Sequence, residues 1–216
     1  KPAVCGSSEQ STCYTQTALS LILHFGLGEE KDRKKQTDAL VELIEQNGMR
    51  MTTGFLGTPY ILHSLSENGR DDIAYSLLLQ EKAPSWLFSV NMGATTMWEH
   101  WDGINEKGEV WNKDMNSFNH YAYGAVFDWI FGKAVGIQPL LPAYERVRIC
   151  PHPDARLHFT DMAFDTRYGT LRAKWTFLPD GIRYEYEIPE GACAEIILPD
   201  GKKYEVSKGN YVFFTK

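Results

Sequence analysis

Long apolar runs are missing from this 216-residue sequence. None approaches the ~20 consecutive residues that cross a bilayer, so no segment reads as a transmembrane helix. A surplus of positive charge is missing too. The net charge is -6, which gives a nucleic-acid-binding surface no support. Cysteine is scarce, and Cys5, Cys13, Cys150 and Cys193 form no Cys-x-x-Cys pair and no zinc-type spacing with histidine. Free thiols are expected, with a Cys5–Cys13 bridge as the alternative. No repeat and no low-complexity tract is visible. With 43% hydrophobic and 23% charged residues, the composition is that of a folded chain and not of a fibre, coiled coil or long disordered segment. The length suits one large domain or two small ones, with a core that needs no staples. The chain starts at Lys1 with no signal peptide after it. That start reads as a processed or excised end, and the compartment is not legible.

What is present is unevenly spread. The whole charge of -6 falls in residues 1–142, and the remainder is balanced. Five of the six tryptophans (Trp86, Trp98, Trp101, Trp111, Trp129) lie between residues 86 and 129. An acidic, tryptophan-dense stretch suits a neutral ligand with apolar faces, such as a sugar. A tryptophan-rich core fits the same pattern.

The first part of the chain carries helical periodicity. Helices are expected over residues 12–25, ended by Gly26 and Gly28, and over 32–46, ended by Asn47-Gly48. Thr58-Pro59 is a helix start, with threonine as the cap and proline in the first turn. A fourth helix begins at Asp71 or Asp72. The clearest periodicity, through Phe118, Tyr121, Ala122, Ala125, Val126, Trp129 and Ile130, predicts a helix over 117–133. Residues 86–114 are irregular, as functional stretches often are. After Pro139 and Pro142 short alternating runs take over. They are punctuated by Pro179-Asp180-Gly181, Pro189-Glu190-Gly191 and Pro199-Asp200-Gly201, which signal hairpins and an antiparallel sandwich. The expected boundary puts a helical domain at 1–138 and a β-sandwich at 139–216.

Three clusters could carry chemistry. In Gly93-Ala94-Thr95-Thr96-Met97-Trp98-Glu99-His100-Trp101-Asp102-Gly103, Glu99 lies between two indoles, a setting that can hold a general base or nucleophile. Thr95 or Thr96 with Glu99 also fits a helix capping box, and the two readings are compatible. In Asn116-Ser117-Phe118-Asn119-His120-Tyr121-Ala122-Tyr123-Gly124, His120 falls between core positions of the expected helix. From there it reaches either a sugar hydroxyl or a backbone partner. The glycines of Thr52-Thr53-Gly54-Phe55-Leu56-Gly57-Thr58-Pro59 mark a tight helix entry and not a phosphate loop, since no Gly-Lys-Ser/Thr ending follows. His24, His63, His100, His152 and His158 show no metal spacing, His-Glu-x-x-His is absent, and no Gly-x-Ser-x-Gly elbow appears.

Five blocks stand in a telling order: Thr53-Gly54-Phe55-Leu56-Gly57-Thr58-Pro59-Tyr60, Leu65-Ser66-Glu67-Asn68-Gly69, Pro84-Ser85-Trp86-Leu87, Gly93 through Glu99, and Asn116 through Gly124. This succession resembles bacterial α-L-rhamnosidases, glycoside hydrolase family 78, from about residue 12 to the end. The resemblance implies an (α/α)6 barrel followed by a β-sandwich, and hydrolysis with inversion by a general acid and a general base. It implies Glu99 as the base, His120 as a sugar contact, and Trp86 and Trp98 as pocket aromatics. The family's general acid lies upstream of the first block, and nothing in this chain matches it. Some seven helices are too few for a twelve-helix barrel. The expected architecture is therefore an α+β chain: a partial (α/α)6 toroid of helical hairpins, then a small antiparallel β-sandwich. The implied partner is a rhamnose-containing glycoside, with no cofactor, no metal, no nucleic acid and no membrane. Self-association through the cut edge of the barrel is a further expectation. The alternatives are a non-catalytic sugar-binding or scaffold fragment and another (α/α)6 glycosidase.

Overall fold

The computed structural model describes residues 14–216, so the question of Cys5 and Cys13 lies outside the described residues. Cys150 and Cys193 are free thiols. The chain divides into two compact units, one ending at Val126 and the other running from Phe127 to Lys216.

The first unit is built of helical hairpins. Helix α1 (Gln16–Phe25) opens where Thr15 Oγ1 accepts the Ala18 N–H at 3.0 Å, and closes at Gly26, whose φ of 61° is left-handed. Then come α2 (Arg33–Gln46), α3 (Thr58–Ser66), α4 (Asp71–Leu78) and α5 (Trp86–Asn91). Pro59 sits in the first turn of α3 as expected, but Gly57 occupies the cap position. The Thr58 hydroxyl pairs instead with Thr53 Oγ1 at 2.8 Å. Helix α1 packs against α2 and α3, and α3 against α4, burying Leu19, Leu23, Leu40, Ile44, Ile61 and Leu65. Two polar clasps sit within this apolar packing. Ser64 Oγ donates to Ser20 O across α1 and α3 at 2.7 Å. Buried Gln16 donates to Leu43 O and Arg50 O and accepts from Thr52 N–H at 2.7 Å. Each amide group is thus satisfied, as burial requires.

From residue 92 to 121 no helix forms, and the strand-like pairing within this stretch is a single isolated bridge between Ile104 and Val110. The helix expected over 117–133 starts late. Ala122–Ala125 is a 3-10 turn, Val126–Trp129 is the short α6, and Ile130–Val135 widens to a π-type turn. Residues 117–120 are instead claimed by the opposite backbone. Glu99 N–H donates to Ser117 O and His120 N–H to Met97 O, both at 2.8 Å, and the Thr96 hydroxyl bonds Phe118 O. A stretch held by these cross-chain bonds cannot also coil. The periodic Phe118 and Tyr121 are both exposed.

The second unit holds two four-stranded sheets. One is β1 (Ile137–Pro139), β2 (Arg146–Ile149), β6 (Cys193–Ile197) and β7 (Lys203–Val206) in that order. The other is β3 (Phe159–Thr166), β4 (Gly169–Leu178), β5 (Gly181–Ile188) and β8 (Gly209–Thr215). All pairs are antiparallel except β2 with β6, which run parallel. Alternate residues of both sheets (Val147, Ile149, Ala194 and Ile196 against Leu171, Ala173, Trp175 and Tyr184) meet in one core. The β4–β5 and β6–β7 turns are the expected Asp-Gly hairpins. Pro189-Glu190-Gly191 is not a hairpin, because there the chain leaves one sheet for the other. Gly136 is required at the entrance: its φ is 92°, and a Cβ there would stand 2.3 Å from the Cys150 carbonyl carbon.

Candidate active site

The irregular segment 92–121 folds back on itself and presents Glu99. Glu99 and Ser117 face each other as in an antiparallel pair, with one exchange altered. Glu99 N–H donates to Ser117 O at 2.8 Å, while Ser117 N–H donates to the Glu99 carboxylate Oε2 at 3.0 Å. A backbone donor therefore fixes one carboxylate oxygen and leaves Oε1 without a hydrogen bond among the described residues. No helix surrounds Glu99, so the capping-box reading with Thr95 or Thr96 does not apply. Asp102, three residues on, is exposed and lines a separate cavity of about 370 Å³ with Arg50, Lys82 and Lys107.

Aromatic rings gather around Glu99. Tyr123 is 6% exposed. Burial first, and the negative charge of Glu99 second, push its phenol above the usual tyrosine range. The phenol therefore stays protonated beside the carboxylate. Trp101 stacks on Tyr123 with centroids 3.8 Å apart and 15° between planes. Its indole N–H is buried and has no partner among the described residues. Phe55 leans on Tyr123 at 5.1 Å and stacks on His120 at 4.7 Å and 11°. His120 Nδ1 accepts the Ala122 N–H at 3.4 Å, which leaves the Nε2 proton of the neutral ring for a ligand.

Trp86 stands behind this surface. Trp86 is 7% exposed, donates its indole N–H to Tyr123 O at 2.9 Å and meets Trp101 edge-on. Trp98 is 5% exposed and packs edge-on against Phe118. Gly103 admits this packing, since a Cβ there would stand 3.2 Å from the Trp98 ring and 3.3 Å from Phe118. The structure thus groups His120 with Phe55, Tyr123 and Trp101, with Glu99 near enough for its charge to act on Tyr123; Trp86 backs this group, and Trp98 packs apart from it against Phe118. Two members escape the sequence reading, Phe55 and Tyr123, while Trp101 is the second of the two indoles noted beside Glu99. Phe55 falls in the glycine-flanked block read as a helix entry. An aromatic at the tip of such a turn was the available signal.

The arrangement offers an oriented carboxylate with one open oxygen, an imidazole N–H, and ring faces suited to C–H surfaces. Among the described residues no group of three or more His, Cys, Asp or Glu side chains could hold a metal ion. No described helix is long and apolar enough to cross a membrane.

Comparison with known proteins points one way. Residues 5–134 match the model of the bacterial alpha-L-rhamnosidase 6 hairpin glycosidase domain, and residues 136–213 match the bacterial alpha-L-rhamnosidase C-terminal domain. An alpha-L-rhamnosidase of Formosa agariphila is 37% identical over 92% of the chain and 22% of its own length. The chain thus spans about a fifth of the length of such curated relatives. Among solved structures, Streptomyces avermitilis alpha-L-rhamnosidase complexed with L-rhamnose superposes with a TM-score of 0.88 at 35% identity, over 94% of this chain and 22% of that one. The enzyme of Aspergillus terreus gives 0.89 at 35% identity, over 94% and 24%.

Proposed function

The chain belongs to the bacterial alpha-L-rhamnosidase family, and on that premise we propose that it forms part of a site that removes terminal α-L-rhamnose from glycosides with inversion. Glu99 is the general base. Its open Oε1 takes a proton from the water that attacks the anomeric carbon as the glycosidic bond breaks. His120 Nε2–H donates to a sugar hydroxyl. Trp86 holds the pocket wall from behind, and neutral Tyr123 does not compete with Glu99 for the proton. Inversion needs a second carboxyl group about 6.5–9.5 Å away to protonate the leaving oxygen. The resemblance places that general acid upstream of the first matching block, and we assign the role to none of the described residues. The observation that carries the reading is the Ser117 N–H bond that fixes Glu99 Oε2 and leaves Oε1 open.

Hydrolysis of an aryl α-L-rhamnoside whose acidic phenol leaves as the phenolate without a general acid, measured beside the Glu99→Gln variant, tests it. The amide cannot accept the water proton, so kcat is expected to fall about 10³-fold, with L-rhamnose binding retained. Unchanged turnover in the variant removes Glu99 from the role. A second reading, a sugar-binding unit without turnover, is favoured by the exposed position of Asp102, the acid nearest to Glu99 in the sequence. It predicts L-rhamnose binding with no hydrolysis in either protein. Association through the exposed apolar edge at Phe25, Leu27 and Leu56 belongs to the same partial-barrel reading. Light scattering should give a mass above the monomer, and a clean monomer at high concentration rejects it.

A further inference from the structure

The ring cluster beside Glu99 has an outer end that the reaction above leaves unused. Exposure rises along it in order: Tyr123 at 6%, Phe55 at 42% and Tyr121 at 88%, with half-buried His120 stacked on Phe55 and neighbouring Tyr121. The Tyr121 ring lies parallel to His120, with 4° between planes and 5.7 Å between centroids. It is the most exposed of the large apolar or aromatic side chains in this cluster. Its backbone is nonetheless fixed. His120 N–H is bonded to Met97 O at 2.8 Å, Ala122 N–H to His120 Nδ1 at 3.4 Å, and Gly124 N–H to Tyr121 O at 2.8 Å.

We propose that Tyr121 is a specificity-determining residue that stacks on the leaving group and selects aromatic over alkyl aglycones. The inference rests on the rhamnosidase reading of the site and names the part of the substrate that reading left open. A terminal sugar held by His120 and attacked with the help of Glu99 leaves only its aglycone projecting outward. The next side chain outward from His120 is Tyr121. Its flat face is parallel to the imidazole and open. A planar aglycone can lie on it in the offset geometry that aromatic pairs prefer. A fixed backbone means little ordering is needed when it does.

The test is calorimetric binding of phenyl and methyl α-L-rhamnosides to the chain, to Tyr121→Ala and to Tyr121→Phe, with L-rhamnose as competitor and circular dichroism as the check on folding. The native chain should bind the phenyl glycoside about fivefold tighter than the methyl one, the size of one exposed ring contact. The alanine variant should bind both equally, and the phenylalanine variant should keep the preference. L-rhamnose itself should bind alike in all three. A phenyl preference that survives in the alanine variant, or is absent from the native chain while L-rhamnose competes, overturns the assignment of Tyr121 alone. A folded chain that binds neither glycoside nor L-rhamnose overturns the rhamnosidase reading, and this proposal with it.

Discussion

In the β unit, the carboxylates of Asp161 and Glu185 are matched to cations. Asp161 pairs with Arg172 at 2.6 Å and lies 3.9 Å from Lys174, and Glu185 sits between Lys174 and Arg183. In the helical unit, Glu99 has a single backbone N–H for its carboxylate and no cation at ion-pair distance among the described residues. The tryptophans differ in the same way. Trp175 is enclosed by both sheets and donates its indole N–H to Ala134 O at 2.7 Å, whereas the Trp101 N–H is buried and unclaimed among the described residues. One unit uses these residue types to close its own structure. The other leaves an acceptor and a donor unspent next to ring faces, which is what a ligand site needs.

The contrast can be sharpened by separating function from stability. Glu99→Gln should have the largest effect of any substitution here, the loss of turnover given above, yet it should leave the unfolding midpoint in guanidinium within experimental scatter. A large stability loss would mean that Glu99 serves the fold and would break the contrast. Trp175→Ala should do the reverse. Removing a large, fully buried ring should cost the β unit about 3–5 kcal/mol, read as a shift in guanidinium unfolding. A loss below about 1 kcal/mol would show that this core does not depend on it. The surface pairs should matter least. The Arg172 guanidinium, by hydrogen bond and charge, holds the Asp161 carboxyl below the usual carboxylate range. Its folded value is the lower one, so the pair stabilises above the unfolded value of about 3.9. That stability is lost as pH falls through the folded value. Both side chains are substantially exposed, so Asp161→Asn should cost less than about 1 kcal/mol at pH 7. The difference in Tm between the two proteins should close in acid.

Regular structure was legible and the site's surroundings were not. Gly26, Pro59, Asp180-Gly181 and Asp200-Gly201 mark real ends and turns, because each acts through its own backbone. Strand β3 went unseen. Its alternation is Asp161, Ala163 and Asp165 against Met162 and Phe164, and only Thr160 of it is buried, so hydrophobic contrast is low. Phe118 and Tyr121 mimic a helical stripe, yet hydrogen bonds to residues some twenty positions away hold that stretch out of a helix. Spacing along the chain carries no record of such bonds. For the same reason the resemblance names Glu99 and His120, but only the folded structure adds Phe55 and Tyr123 beside them.

The bonds between residues 96–99 and 117–120 also act as a clamp at the neck of the excursion they enclose. Residues 102–115 leave and return through that neck, and Glu99 and His120 are held on the near side of it. The length of the excursion is therefore decoupled from the placement of the two side chains. Doubling the length of a flexible loop inserted at its tip would cost only about 0.6 kcal/mol in closure entropy. The tip can be lengthened, shortened or decorated while the neck keeps its registration, so the rim of the site can vary without moving the groups at its centre.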